Sequence, residues 1–208
     1  MKKFELTEET RTINLLFRTV TLHRIRAVAE FGFVKVGDLG GWIEKEENLS
    51  HVGNAWVYDD AKVYGNAWVY GNAKVYGNAK VYGNAKVYGN DKVCDITKVY
   101  GNAKVYGNAW VYDDAEVCGA AKVCDNAKVC GNAEVFSARH VLVIGAIGSR
   151  DDFTTFYRDK DNEITVKCGC FLGKIDKFLE KVTQTHGDSK DASVYRAAVE
   201  VAKLQIEL

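Results

Sequence analysis

Gly71-Asn72-Ala73-Lys74-Val75-Tyr76 is followed at once by Gly77-Asn78-Ala79-Lys80-Val81-Tyr82, and the unit keeps repeating in both directions. Valine stands at 57, 63, 69, 75, 81, 87, 93, 99, 105, 111, 117, 123, 129, 135 and 141, fifteen positions in register with no insertion between Gly53 and about Leu142. Alanine stands two residues before most of these valines. A period this strict marks units that bury their apolar faces only against their neighbours.

An α-helix cannot use the period, because six residues advance it by about 600° and the valines would spiral around it. A strand can. Alanine and valine two apart face one way and the flanking lysine and tyrosine face the other. Gly-Asn then turns the corner, since both residues tolerate positive φ. Each hexad is therefore one short strand and one turn.

Val75-Tyr76-Gly77-Asn78-Ala79-Lys80 resembles the hexapeptide motif of left-handed parallel β-helix proteins: an aliphatic residue, a small residue four places later and asparagine in the turn. That resemblance implies three hexads per coil and a left-handed wind, hence about five coils, a stack on the order of 24 Å long at strand spacing. Familiar members of the family are acyltransferases. They work as trimers with a histidine general base between subunits and loops that protrude from the coils. Here no loop interrupts the array and no histidine lies between His51 and His140, so the base has no position to occupy.

With every third hexad on one face, the outward columns follow. The first face shows Trp56, Lys74, Lys92, Trp110 and Lys128 beside Tyr58, Tyr76, Cys94, Tyr112 and Cys130. The second shows Lys62, Lys80, Lys98, Glu116 and Glu134 beside Tyr64, Tyr82, Tyr100, Cys118 and Phe136. The third shows Trp68, Lys86, Lys104, Lys122 and His140 beside Tyr70, Tyr88, Tyr106, Cys124 and Leu142. Exposed aromatic columns suit an interface. Trp56, Tyr58, Tyr76, Trp110, Tyr112, Tyr70, Tyr88 and Tyr106 are the candidates, with a homotrimer or another homo-oligomer as the expected assembly. Two inward positions break the pattern, Asp91 and Thr97, and are expected to satisfy each other as a polar pair.

The flanks are expected to close the stack, because an open solenoid end exposes unpaired backbone. Residues 1–52 read as an N-terminal β cap, with strands from Phe4 to Ile13 and Val20 to Val28 and a glycine-rich bend at Gly37-Asp38-Leu39-Gly40-Gly41-Trp42. Residues 53–142 form the β-helix. Residues 143–208 read as a ββαα module: Phe153 to Arg158 and Ile164 to Cys168 form a hairpin, and Ile175, Phe178, Leu179 and Val182 recur at helical spacing before Gly187. A second helix is marked by Tyr195, Ala198, Val199, Ala202 and Ile206. The fold class is thus mainly β.

The two flanks also resemble hexapeptide-repeat proteins of phages and prophages. At the N-terminal end the likeness is carried by Leu22-His23-Arg24-Ile25-Arg26-Ala27 and Gly37-Asp38-Leu39-Gly40-Gly41-Trp42-Ile43-Glu44. At the C-terminal end it is carried by Gly148-Ser149-Arg150, Thr154-Thr155-Phe156-Tyr157 and Lys167-Cys168-Gly169-Cys170-Phe171. It implies a phage accessory protein acting in the host cytosol and no particular activity.

Composition bounds the function. The 208 residues carry 28 basic and 28 acidic side chains, a net charge of zero that disfavours a general nucleic-acid binder. The balance is uneven, with seven lysines but only Asp91 and Asp95 as acids from Lys62 to Trp110. No apolar run is long enough for a membrane span, the first residues lack a signal peptide's apolar stretch, and a cytosolic protein with reduced thiols is expected. Cys118, Cys124 and Cys130 fall on three faces, and Cys94 and Cys130 lie two coils apart, beyond disulfide reach. Cys168-Gly169-Cys170 with His186 is a weak metal candidate, so no metal and no cofactor is expected.

Polar chemistry concentrates at the C-terminal end. Ser149, Arg150, Thr154, Thr155, Tyr157 and Arg158 put hydroxyls, guanidinium groups and a ring close together in sequence, a set suited to a phosphate or nucleotide. The preferred reading is a non-enzymatic, oligomeric solenoid that captures a small anionic ligand such as a nucleotide signal. A structural or protein-binding module using the Tyr and Trp columns, and a hexapeptide-type acyltransferase, remain as alternatives.

Overall fold

The computed structural model describes residues 2–208. Strands β1 (Phe4–Asn14) and β2 (Thr19–Ala27) form an antiparallel hairpin, and β2 pairs antiparallel with β3 (Leu39–Ile43). Strand β4 (Leu49–Gly53) and fourteen shorter strands, β5 to β18, follow from Trp56–Val57 to Glu134–Val135. They sort into three stacks with a crossover of three strands, which gives a parallel β-solenoid of about five turns. One stack of eight strands takes in the hairpin through β3, and the other two have five strands each. The Gly37–Trp42 stretch does more than bend: β3 already pairs parallel with Lys62–Val63, so the ladder starts a coil before the first complete hexad.

Register is carried by backbone and side chain alike. Val87 lies between Val69 and Val105, and Tyr88 between Tyr70 and Tyr106. The inward alanines and valines are almost fully buried and form one continuous core. Outside, Tyr64, Tyr82 and Tyr100 stack at 5.0 and 4.8 Å, and Tyr70, Tyr88 and Tyr106 at 4.7 and 5.2 Å. Corner asparagines form a second ladder, with Asn66, Asn84 and Asn102 linked at 3.2 and 3.1 Å. The corners need positive φ: at Gly89 φ is +97°, and a Cβ there would stand 2.8 Å from the Gly107 carbonyl oxygen. Where aspartate replaces glycine, as at Asp59, Asp95 and Asp113, φ is still positive. Those carboxylates accept from the next coil's amides, Gly77, Asp113 and Gly131, at 3.1, 3.2 and 3.1 Å.

Both ends are closed. Trp56 does not belong to an exposed column: it is buried beneath Phe4 and Phe31, whose rings lie 6.2 and 5.3 Å away. Lys3 is drawn in as well, donating to the Ala55 carbonyl at 2.7 Å, and burial lowers its pKa to about 8. At the far end stands a sheet of four strands, two more than the hairpin expected from sequence: β19 (Val141–Ile147), β20 (Asp152–Arg158), β21 (Ile164–Cys168) and β22 (Phe171–Lys174). Helices α1 (Ile175–His186) and α2 (Lys190–Gln205) cover it, burying Phe178, Val182, Tyr195, Ala198 and Val199 with Phe156 and Val166. Ser189 starts α2 by accepting from the Ala192 amide. No helix is long and apolar enough to cross a membrane.

Asp91 and Thr97 do not satisfy each other. The Asp91 Oδ1 accepts from the Ala109 amide at 2.8 Å, its Oδ2 is buried without a partner, and the Thr97 hydroxyl points to the Asp113 carbonyl at 3.5 Å. Burial pushes the Asp91 carboxyl up to about 7 from 3.8, the Ala109 amide pulling the other way. A folded-state pKa above the unfolded one means the native state binds the extra proton, so this group's contribution falls as pH rises between those two values. An asparagine in its place would mimic the protonated carboxyl. We expect Asp91→Asn to match the parent in urea melts at the acid end of that window. Above it the variant should be the more stable, by roughly 1–3 kcal/mol, the usual cost of an unsatisfied buried acceptor. A gap that stays constant with pH would contradict this account.

Candidate functional site

Strand alternation divides the predicted ligand cluster. On β20, Thr155 and Tyr157 face the last coil: the Thr155 Oγ1 accepts from the Lys128 amide at 3.0 Å, and the Tyr157 hydroxyl donates to the Cys130 carbonyl at 3.0 Å. Thr154 faces the opposite way, its hydroxyl 3.3 Å from the Cys168 Sγ, and Phe156 beside it packs edge-on to Phe178. Thr154, Thr155 and Tyr157 are all buried. Burial, followed by the Cys130 thiol, holds the Tyr157 phenol far above its ordinary pKa. Arg158 reaches the Glu134 carboxylate at 3.4 Å and lies over the Phe136 ring. Thr155, Tyr157 and Arg158 dock the C-terminal module on the solenoid, Thr154 sits on the helix side of the sheet, and none of the four lines a cavity with Ser149 and Arg150.

Asp159 completes that dock. It bridges Ala133, and the next amide, Lys160, donates to the Asn132 carbonyl at 3.0 Å. Its buried carboxylate accepts from Thr165, Lys174 and the Asp161 and Glu163 amides. Burial alone would raise its pKa, but Lys174 and these donors outweigh it and hold the carboxyl below its usual value.

Ser149 and Arg150 open a different site. They follow β19 in a short turn and, with Asp152, the Cys168-Gly169-Cys170 turn and the end of α1, line a cavity of about 250 Å³. Its floor is Phe171, Phe178 and Val182, and its rim carries Arg150, Lys181, Thr185, His186 and Tyr195. Gly169 lets Arg150 lie across the β21–β22 turn, since a Cβ there would meet its Nη1 at 2.9 Å. Among the described residues neither Arg150 nor Lys181 has an acidic partner, although both are exposed. Asp152 commits one carboxylate oxygen to the Phe153 amide. Burial, then the nearby Cys168 thiol, raises Tyr195 to about 12, so it stays a neutral donor. Sequence spacing marks Tyr195 only as part of the inner face of α2, and it gives no sign of Lys181 and Thr185, which are exposed on α1 and whose place beside the sheet depends on how that helix packs.

The histidines bear on catalysis. His51 Nδ1 accepts from the Lys3 amide at 3.3 Å, and its Nε2 faces Glu46 at 3.7 Å. His140 Nδ1 accepts from the Phe136 amide at 3.2 Å, and burial lowers its pKa. His23 Nδ1 contacts the Thr7 carbonyl at 3.3 Å. His186 lines the cavity beside Tyr195, ring centroids 5.8 Å apart. The Cys168, Cys170 and His186 side chains share that cavity, yet among the described residues no group of three or more His, Cys, Asp or Glu could hold a metal ion. All six cysteines are free.

Of the interface candidates, Tyr58, Tyr76, Tyr112, Tyr70, Tyr88 and Tyr106 are half-buried within their own columns, and Trp110 is exposed beneath the Lys92 ammonium, 4.0 Å from its ring. No family model matches the chain. Over 63 residues, 28% of this chain, it is 38% identical to a protein of Escherichia coli (strain K12) described as an uncharacterized acetyltransferase, YdcK. The match spans 19% of that relative's length.

Docking and ligand contacts should therefore separate by mutation. Tyr157→Phe removes the bond to the Cys130 carbonyl and should lower stability by roughly 1 kcal/mol in urea melts. The chemical shifts of Arg150 and Lys181 should not move. A perturbed cavity with unchanged stability would reverse that assignment.

Proposed function

We propose that this protein is a non-enzymatic binding protein that captures a small amphipathic anion of nucleotide type in the cavity under Arg150. One observation carries the reading: Arg150 and Lys181 stand without acidic partners over an apolar floor of Phe171, Phe178 and Val182. A guanidinium fork suits phosphate oxygens, while rings and aliphatic side chains suit a base. Ser149, Thr185 and Tyr195 add neutral hydroxyls for orientation. The non-enzymatic part is supported by the histidines, three of the four being engaged through a ring nitrogen with the backbone. The phage-type role and a place in the host cytosol rest on the resemblance of the flanks. In that setting the protein would act as a sponge for a nucleotide signal. We further propose that copies associate, as a homotrimer in the simplest case, through the part of the first face left open between the two caps, where Tyr76, Trp110 and Tyr112 lie.

Titration calorimetry against linear and cyclic nucleotides, with inorganic phosphate as reference, tests the ligand. At least one nucleotide should bind more tightly than phosphate, and Arg150→Ala should weaken it at least about tenfold, the scale of a lost charge-assisted pair. No heat with any nucleotide would overturn the reading. Turnover of acetyl-CoA that depended on His186 would replace it with the acyltransferase alternative, which the similarity to YdcK keeps in view. For the assembly, light scattering at micromolar concentration should give a multiple of the chain mass that Tyr112→Ser reduces, and a monomer would refute it.

A further inference from the structure

The third face of the solenoid differs from the other two in what happens to its lysines. Trp68, Lys86, Lys104 and Lys122 pair in register on adjacent strands, so their side chains rise one above another at about 4.8 Å. All four are exposed. Like charges stacked in register repel, so an unrelieved column is destabilising. The second face relieves it by changing sign: Glu116 and Glu134 continue the column, and Lys98 meets Glu116 at 3.3 Å. The first face covers its cations, with Lys74 over Phe33 at 5.0 Å and Lys92 over Trp110 at 4.0 Å. Caps also cover parts of these two faces: β1 and β2 extend the second, and Thr155 and Tyr157 seal the end of the first.

The third face has the second device only at its start, where Lys86 lies 6.0 Å from the centroid of the Trp68 ring, and neither device at Lys104 and Lys122. Among the described residues Lys86, Lys104 and Lys122 meet no carboxylate at ion-pair distance. From Trp68 to Cys124 its strands and corners carry no acid, since the corners are Gly-Asn or Gly-Ala. Acids stand at its ends: Asp125 after Cys124, and Glu46 and Glu47 beside Lys45, with Glu46 already held by Lys2 and His51. At that end the column runs into an open groove of about 590 Å³, with Trp68 and Lys86 on one side and Lys45, Glu46, Glu47 and His51 on the other. Trp68 stacks on Tyr70 at 4.1 Å and keeps 39% of its surface exposed.

We propose that the third face binds single-stranded nucleic acid, with phosphates along Lys86, Lys104 and Lys122 and a base against Trp68 in the groove. A cationic track beside an exposed ring is the arrangement that single strands use, and it serves any sequence because every base has a π face. An acidic peptide would match the charge but leave Trp68 without a flat partner. Zero net charge argues against a nucleic-acid binder only when charge is spread evenly, and here the acids lie on other faces and at the ends. This surface is separate from the cavity under Arg150, and neither proposal depends on the other.

Fluorescence anisotropy with a labelled oligothymidylate tests it. The full chain should bind, with a log–log salt slope of about −2, as expected for roughly three phosphates. Lys86→Ser, Lys104→Ser and Lys122→Ser together should weaken binding at least about tenfold and flatten that slope. The same triple written as Lys→Arg should bind like the parent, which separates charge from folding. Lys62→Ser, Lys80→Ser and Lys98→Ser together make the same change in net charge on the second face and should leave binding within a factor of about two, distant exposed charges being largely screened. Trp68→Ala should weaken binding without changing the slope. Absence of binding, equal loss from both serine triples, or polyglutamate competing as well as the oligonucleotide would each overturn the proposal, the last in favour of an acidic polypeptide.

Discussion

The structure depends on a parallel backbone ladder that repeats without slipping. Each coil donates to the next through the same amides, such as Lys86 to the Ala103 carbonyl and Lys104 to the Ala121 carbonyl, both at 2.9 Å. A one-residue slip would turn every valine outward and every lysine inward. Valine and alanine inside, tyrosine stacks outside and asparagine ladders at the corners all demand the same register, and that agreement makes it unique. An unbroken hydrogen-bonded ladder also explains why the chain has no proline, which would remove a donor from it.

A ladder of this kind creates its own difficulties, and the irregular residues answer them. Its ends are open sheets, so the first coil buries Trp56 under Phe4 and Phe31, and the last receives β20 and Asp159. Its corners need positive φ, so most of them hold glycine, and Asp59, Asp95 and Asp113 take the same conformation while accepting an amide from the coil beyond. Its columns stack like side chains, which helps tyrosine and harms lysine. The three faces then diverge according to how each handles the harm: by opposite charge, by cover, or, at Lys104 and Lys122 of the third, by neither. Asp91 is the departure left half-satisfied, one oxygen bonded and the other alone.

The candidate ligand site stands apart from the repeat because it needs what a repeat cannot supply. Segments far apart in the chain meet there: the turn after β19, the β21–β22 turn, the end of α1 and Tyr195 of α2. Only such a junction gives a concave apolar floor with cations at its edge. The flat sides of the solenoid can offer a linear partner many equal contacts but cannot enclose a small one.

Periodicity alone determined the strands, the inward valines and alanines, the corners and, through the resemblance, the assignment of hexads to three faces. Each of these is a local consequence of a period of six acting on side-chain alternation. Spacing likewise marked α1 and α2. The cluster from Ser149 to Arg158 was legible as chemistry but not as geometry. Neighbours along β20 point to opposite sides, so Thr155 and Tyr157 went to the solenoid, Thr154 and Phe156 to the helices, and Ser149 with Arg150 to a cavity. Trp56 looked outward in the pattern and lies buried, because the cap that covers it comes from residues far away in sequence. Contacts between distant segments decided those positions, and they arise from packing, which no repeat of six can encode.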